Sequence, residues 1–189
     1  ALADVTREYI LVDDSDDGTA DEGRAVAATA PIPVRVLARA PEDRWGGLGG
    51  AVVDGFDAAA GSGAVVMGGD LQHPPALIPT LLAAHERGYD VVYTVREDTP
   101  EIPLGKRLAA RFFYRLSSAV SDTPIHDRAA DFRLVSRRVV EVFQRSVRER
   151  GLFLRGLFVW VGFPSCAVPF RAGARRAGRT KYSLGRNLR

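Results

Sequence analysis

Along the first half of the chain, short apolar runs closed by turn residues alternate with stretches of helical period. YILV (9–12) is apolar throughout and breaks off at DDSDDGT, an acidic, turn-rich cluster, so it predicts a strand and then a loop. Residues 20–29 are rich in alanine, and Asp17 or Thr19 stands where a helix cap belongs. PVRVL (33–37) predicts a second strand. GGLGG (46–50) predicts a flexible loop, after which Ala51, Val52, Phe56 and Ala59 share one helical face. AVVM (64–67) predicts a third strand. Pro74 and Pro75 suit the first turn of a helix over roughly 76–87 that stops at Gly88, and DVVYTV (90–95) predicts a fourth strand. Strand and helix thus alternate four times. That pattern predicts an α/β fold with a mainly parallel central sheet flanked by helices, whose sites lie beyond the carboxyl ends of the strands.

The second half reads differently. Leu104, Leu108, Phe112 and Leu116 recur every four residues with Lys106, Arg107, Arg111 and Arg115 between them, an amphipathic helix with a basic side. DFRLV (131–135) predicts a strand. Ser136 can cap a following helix that turns Val139, Val140, Phe143 and Val147 inward. GLFLRGLFVWVGF (151–163) is unusually apolar and aromatic; it suits either a core helix or a segment lying on a membrane. CAVPF (166–170) predicts a last strand.

Composition narrows the class. A length of 189 residues fits a single domain over 1–189 with a sizeable core. No stretch reaches the ~20 apolar residues of a membrane-crossing helix, and the N-terminal residues have no signal-peptide pattern. The lone Cys166 excludes an intrachain disulfide and a multi-cysteine metal site. The net charge of +3 conceals an asymmetry: the first 22 residues are acidic, whereas residues 151–189 carry basic side chains and no Asp or Glu. Such a block implies a polyanionic partner or else a solvated tail.

Two acidic clusters fall at predicted strand ends. In DDSDDGT, Asp13 and Asp14 can accept hydrogen bonds from a ribose or from ring N–H groups of uracil or guanine; the plainer reading is an acidic turn with helix caps. In GGDLQ, Asp70 and Gln72 stand two residues apart, and on an extended segment both point the same way. They offer two oxygen ligands to a hard cation, Mg²⁺ or Mn²⁺, that completes its shell with water and substrate phosphate. Gly68 and Gly69 permit close backbone approach of a nucleotide. A strand-to-helix turn with Asp70 or Gln72 as cap is the alternative, and His73 beside Pro74 reads as a helix-entry residue.

VDDSDDGT, RWGGLGGAVVDGF, MGGDLQHPP, DFRLVSRR, FLRGLFVWVGF and RAGRTKYSLGRNLR occur in this order. The set resembles the polyprenyl-phosphate branch of the family 2 glycosyltransferases, which includes dolichol-phosphate mannose synthases and bactoprenol glucosyltransferases. The resemblance implies a GT-A-type nucleotide-diphospho-sugar fold, a divalent metal, and inverting transfer of a sugar from a GDP-mannose or UDP-glucose type donor to a polyprenyl phosphate. It implies that Asp13 and Asp14 contact the nucleoside, that Gly69 and Asp70 border the sugar nucleotide, and that Asp70 and Gln72 hold the metal. In DRAADFR, Asp127 or Asp131 would sit near the acceptor phosphate and Arg133 would contact phosphate. Arg179 and Lys181, in RTKY, would close over the diphosphate. The basic side of 104–120, the apolar 151–163 and the basic tail would hold the protein on an anionic bilayer at the cytoplasmic face. Homo-oligomerisation is left open, and no recognition signature for nucleic acid is present.

Three positions depart from the family pattern. Gly68 stands where an acid of the Asp-x-Asp motif is expected, and Arg128 stands where the glucosyltransferase pattern has an acid, beside Asp127. The family's opening strand, with its Pro-x-Tyr/Phe-Asn-Glu motif, has no counterpart ahead of Tyr9. The chain is therefore expected to be a fragment lacking that strand and any C-terminal membrane helices. A soluble transferase with a saccharide or protein acceptor, or a degenerate sugar-nucleotide-binding protein, are the competing functions.

Overall fold

The structure, a computed structural model, describes residues 5–97, 129–147 and 154–171. Among these residues six strands form: β1 (Tyr9–Asp13), β2 (Val34–Ala38), β3 (Gly63–Val66), β4 (Val91–Arg96), β5 (Ala129–Ser136) and β6 (Ser165–Phe170). Five α-helices accompany them among the described residues: α1 (Thr19–Thr29), α2 (Leu48–Ala58), α3 (Ile78–Glu86), α4 (Arg137–Ser146) and α5 (Leu154–Trp160). The expected helix 104–120, Asp127, Arg179, Lys181 and the tail beyond 171 lie outside the described residues.

The strands make two sheets, β1-β2 and β3-β5-β4-β6. The α/β class holds, but the pairing is mixed rather than mainly parallel. β1 with β2 and β4 with β6 are parallel, whereas β5 runs antiparallel to both β3 and β4. The parallel expectation came from the alternation of strands and helices in the first half, where each strand returns through a helix. β5 follows the long segment after β4 and enters between β3 and β4 from the opposite end.

Local chemistry explains the element ends. Asp17 Oδ1 accepts from the Thr19 amide at 3.2 Å and lies 2.6 Å from Thr19 Oγ1. It shapes the turn, while Gly18, at φ 83°, takes the cap position of α1. α2 begins inside the expected GGLGG loop, with Gly49 and Gly50 buried. A Cβ on Gly50 would lie 1.9 Å from the Trp45 carbonyl oxygen, so close approach, not flexibility, requires glycine there. A short 3₁₀ turn at Pro75–Leu77 leads into α3, and Gly88 (φ 100°) ends it by donating to the His85 carbonyl at 2.8 Å. Ser136 caps α4, accepting from the Val139 amide, and its hydroxyl donates to Asp90 Oδ1 at 2.6 Å. That bond ties the end of β5 to the start of β4.

Two apolar clusters form the core. On one face of the larger sheet, α2, α4 and α5 bury Val53, Phe56, Val140, Phe143 and Phe158 with Val135 of β5. On the other face, Leu81 and Ala84 of α3 pack on Phe132, Leu134 and Val168. The four inward positions expected for α4 are all buried. The 151–163 segment divides: Leu154 and Phe158 of α5 are core, whereas Trp160 is 74% exposed. Phe143 is the centre of the first cluster, edge-on to Phe56 at 5.6 Å and stacked on Phe158 at 4.6 Å. Phe143→Ala is expected to lower the unfolding free energy by about 3–5 kcal/mol, read from urea denaturation; a loss comparable to that of a surface substitution would contradict this packing.

Candidate functional site

The acidic clusters emerge where β1 and β3 end. Asp13 closes β1, and its carboxylate accepts from the Ser15 amide at 3.1 Å. Ser15 Oγ lies 2.8 Å from Asp13 and 2.7 Å from Asp17. Bonds from Thr19 and Ser15 hold the Asp17 carboxyl down to about 2. Asp14 is turned toward Arg39, with Nη1 3.1 Å away.

Arg39 is the organiser that sequence reading missed. Its side chain is only 4% exposed. Nη2 donates to the carbonyls of Asp43 (2.6 Å) and Trp45 (2.9 Å), while Nε sits 2.8 Å from Asp54 Oδ2 without hydrogen-bond alignment. Arg44 next in the loop donates to the Arg39 carbonyl and pairs with Asp16 at 2.6 Å. The two arginines thus fix the 39–47 loop beside the ends of β1 and β2. The available signal was a charged residue closing the apolar strand in LARAP, opposite an acidic loop.

After β3, the chain turns instead of staying extended. Asp70 Oδ1 accepts from the Gln72 amide at 3.2 Å, and Leu71 between them takes φ 61°, a left-handed conformation rare outside glycine. The side-by-side geometry expected for an extended 70–72 segment is therefore replaced by a side-chain-to-backbone turn. Asp70 and Gln72 nonetheless both line one cleft, together with Gly68, His73, Asp131 and Arg155. Register explains the company: Val66 lies opposite Arg133, so the residues that follow β3 pass the first residues of β5.

Asp131 is held by a two-pronged pair from Arg155, at 3.1 and 3.2 Å. Arg133, expected to contact phosphate, is placed otherwise. It is 3% exposed, donates to the Ala130 carbonyl at 3.0 Å, and lays its guanidinium 4.3 Å over the Phe158 ring. Strand alternation puts Asp131 and Arg133 on one face, but the first is at the rim and the second in the core. Burial, countered by Asp131, pushes the Arg133 guanidinium down to about 10, so it remains charged near neutrality. Arg155, one charge inside the apolar run FLRGLF, is the arginine at the cleft; its isolation among apolar residues was the signal.

His73 is buried, its ring stacked 5.2 Å from Phe132. Its Nδ1 accepts from the Gly68 amide at 2.9 Å, so the neutral ring carries its proton on Nε2 and pins the start of the GGDLQ turn. For a metal, the turn offers one carboxylate and one carboxamide. Among the described residues, no three His, Cys, Asp or Glu side chains converge on one point. The set suits a hard cation that keeps most of its ligands as water and phosphate oxygen.

Burial first, then Arg96, lowers the His73 pKa below 6.5, against the opposing pull of Asp70 and Asp131. As pH falls from 6.5, the unfolded chain takes up a proton that folded His73 resists, so stability declines through that window and is full above it. Urea midpoints at about pH 7.5 and 5.5 should therefore fall further for the natural chain than for His73→Phe; an equal fall would mean that His73 is not the titrating group.

The fold agrees with comparisons to known proteins. Residues 3–143 match the model of glycosyl transferase family 2. An uncharacterized glycosyltransferase of Bacillus subtilis (strain 168), YkcC, is 40% identical over 139 residues, 74% of this chain and 43% of its own length. A prophage bactoprenol glucosyl transferase homolog of Escherichia coli (strain K12) is 33% identical over 177 residues, 93% of this chain and 56% of its own. The bactoprenol glucosyl transferase of Shigella phage SfV matches to the same extent. The chain spans about half the length of these curated relatives. A family match across three quarters of the chain, on an α/β frame of the GT-A type, makes it a member of glycosyl transferase family 2.

Proposed function

We propose that this chain is the sugar-nucleotide-binding and catalytic part of an inverting glycosyltransferase that moves one sugar from a nucleotide-diphosphate donor to a polyprenyl phosphate. The observation that carries the reading is the meeting of Asp70, Gln72, Asp131 and Arg155 in one cleft beyond β3, in a chain whose relatives include proteins named for bactoprenol.

In this reading Asp70 and Gln72 hold a Mg²⁺ or Mn²⁺ ion, which when bound neutralises the leaving diphosphate. Asp13, Asp14 and Gly69 border the nucleoside and sugar, with Arg39 fixing the orientation of Asp14. Arg155 supplies positive charge on the acceptor side and Asp131 orients it. Asp127, Arg179 and Lys181 enter only as the resemblance implies. A lipid phosphate is already anionic near neutral pH, so no strong general base is needed. Its oxygen attacks the anomeric carbon as the bond from that carbon to the diphosphate oxygen breaks. A single displacement of this kind inverts the anomeric centre.

An anionic membrane surface is the proposed setting, at its cytoplasmic face. It is supported by the exposed Trp160 beside Val159 at the end of α5. Among the described residues no helix is long and apolar enough to cross a membrane.

The test is a screen of radiolabelled UDP- and GDP-sugars with a short polyprenyl phosphate, run in parallel with calorimetry of donor plus Mn²⁺. The reading expects label in the lipid fraction for one donor and manganese-dependent heat that Asp70→Ala removes. Undiminished manganese-dependent binding by Asp70→Ala would reject the assignment of the GGDLQ turn.

Gly68 gives a second handle. A Cβ there would meet Asp70 Oδ1 and His73 Nδ1 at 3.5 Å, an ordinary contact, so a side chain fits. Gly68→Asp should tighten Mn²⁺ binding about tenfold by adding a charged oxygen ligand, measured by calorimetry without donor. Unchanged affinity would place the ion elsewhere.

A further inference from the structure

The turn that presents Asp70 and Gln72 is not a conformation its own residues favour. Leu71, at its tip, has φ 61° and an exposed side chain, so packing at Leu71 does little to hold it left-handed. Two side-chain bonds to the backbone close the segment. Asp70 Oδ1 accepts from the Gln72 amide at 3.2 Å, and His73 Nδ1 accepts from the Gly68 amide at 2.9 Å. The second is the wider clasp, for it joins the two ends of the 68–73 segment. Both side chains converge on Gly68: a Cβ built there would lie 3.5 Å from Asp70 Oδ1 and 3.5 Å from His73 Nδ1.

His73 can serve as a fixed post because its own ring is held. It is buried, stacked on Phe132 at 5.2 Å and edge-on to Phe170 at 6.0 Å. Phe132 and Phe170 are buried too, and meet edge-on at 6.2 Å. Pro74 bars the helical conformation from the His73 backbone, which limits where the ring can go. The ring therefore stands on β5 and β6, while its nitrogen reaches the segment that follows β3. In β5, Phe132 is preceded by Asp131, the acid that Arg155 grips with two bonds. One side chain thus ties the Asp70 turn to the strand that carries Asp131.

Packing alone does not call for histidine here. Phenylalanine would fill the same place between Phe132 and Phe170 and bring no polar atom into it. Asparagine would offer an acceptor and no flat ring. Histidine supplies both, an aromatic face for its neighbours and a ring nitrogen whose lone pair meets the Gly68 N–H.

We propose that His73 is a positioning residue of the cation site: its Nδ1 bond to the Gly68 amide holds the 68–72 turn in the form that keeps Asp70 and Gln72 at the cleft, and its seat on Phe132 fixes that turn against Asp131. The inference rests on the reading of Asp70 and Gln72 as ligands of Mg²⁺ or Mn²⁺, and adds what holds them ready. His73 touches neither ion nor substrate. It acts through the backbone, and the effect appears in affinity because a turn that must be re-formed on binding gives up part of the binding free energy.

Three substitutions separate the nitrogen from the ring. His73→Phe keeps the ring and loses the acceptor. His73→Asn loses the ring and places a carbonyl oxygen where Nδ1 stood. His73→Gln loses the ring and carries its amide one bond too far. Two quantities are read: Mn²⁺ affinity by calorimetry, with UDP and separately with GDP, and exchange of the Gly68 and Gln72 amides by NMR in metal-free protein. His73→Phe and His73→Gln should bind Mn²⁺ about tenfold more weakly than the natural chain, and His73→Asn within about threefold of it. Both amides should exchange about tenfold faster in the Phe and Gln variants than in the natural chain. A purely structural role for the ring would move Asn and Gln together, so equal weakening in those two overturns the proposal. So does undiminished affinity in His73→Phe. Weaker binding without faster exchange would mean that the turn keeps its shape without the bond, and overturns it as well. Mn²⁺ bound alike by the natural chain and all three variants rejects this role alone. No Mn²⁺ binding by the natural chain with either nucleotide rejects the ligand assignment, and this role with it.

Discussion

The interaction on which the rest of the structure depends is the insertion of β5 between β3 and β4. It is the one described strand hydrogen-bonded on both edges by strands of opposite direction. Its two faces feed the two core clusters, Val135 toward α2 and α4, Phe132 and Leu134 toward α3. The Ser136–Asp90 bond and the Thr94 hydroxyl, which donates to the Phe132 carbonyl at 2.8 Å, fix its register against β4. That register decides which residue of β5 meets the turn after β3. Asp131 reaches the cleft because its strand is locked two residues deeper, at Arg133.

Electrostatics around the site follow a common plan. Two nearly buried arginines are held by backbone carbonyl and carboxylate together: Arg39 by the Asp43 and Trp45 carbonyls and Asp14, Arg133 by the Ala130 carbonyl and Asp131. A buried cation is tolerable only when such partners replace its water. Each arginine therefore restrains an acid at the cleft's approaches, Asp14 in one case and Asp131 in the other. Arg155 and Arg44, both more exposed, stand nearer solvent and pair with Asp131 and Asp16. The arrangement leaves carboxylates on the side that the proposed reaction assigns to nucleoside and metal, with Arg155 across from them.

Much of this was legible in the sequence. Apolar runs ending in glycine, proline or acidic turns located all six described strands, and the 3.6-residue period gave the buried face of α4. Strand direction was not legible, because an apolar run looks the same read either way; the antiparallel entry of β5 is a property of the chain's path. GGLGG was misjudged since glycine composition does not distinguish a mobile loop from a helix start crowded by Trp45. The Asp70–Gln72 turn stood only as the alternative to an extended segment, because a left-handed leucine leaves no mark in the pattern. Arg133 was expected at phosphate from the resemblance of DRAADFR, and a motif does not reveal depth along a strand; the side chain is buried. The ordered motifs, by contrast, pointed to glycosyl transferase family 2, and the family match agrees with them.

The central claim is that the divalent ion and the donor diphosphate meet at the turn after β3. Paramagnetic broadening of backbone amide signals by Mn²⁺ in the presence of UDP or GDP measures that location directly. The account predicts that Gly69 to His73 and Asp131 broaden first, and only when nucleotide is present. Selective broadening of residues 13–17 instead, with the GGDLQ turn unaffected, would contradict it.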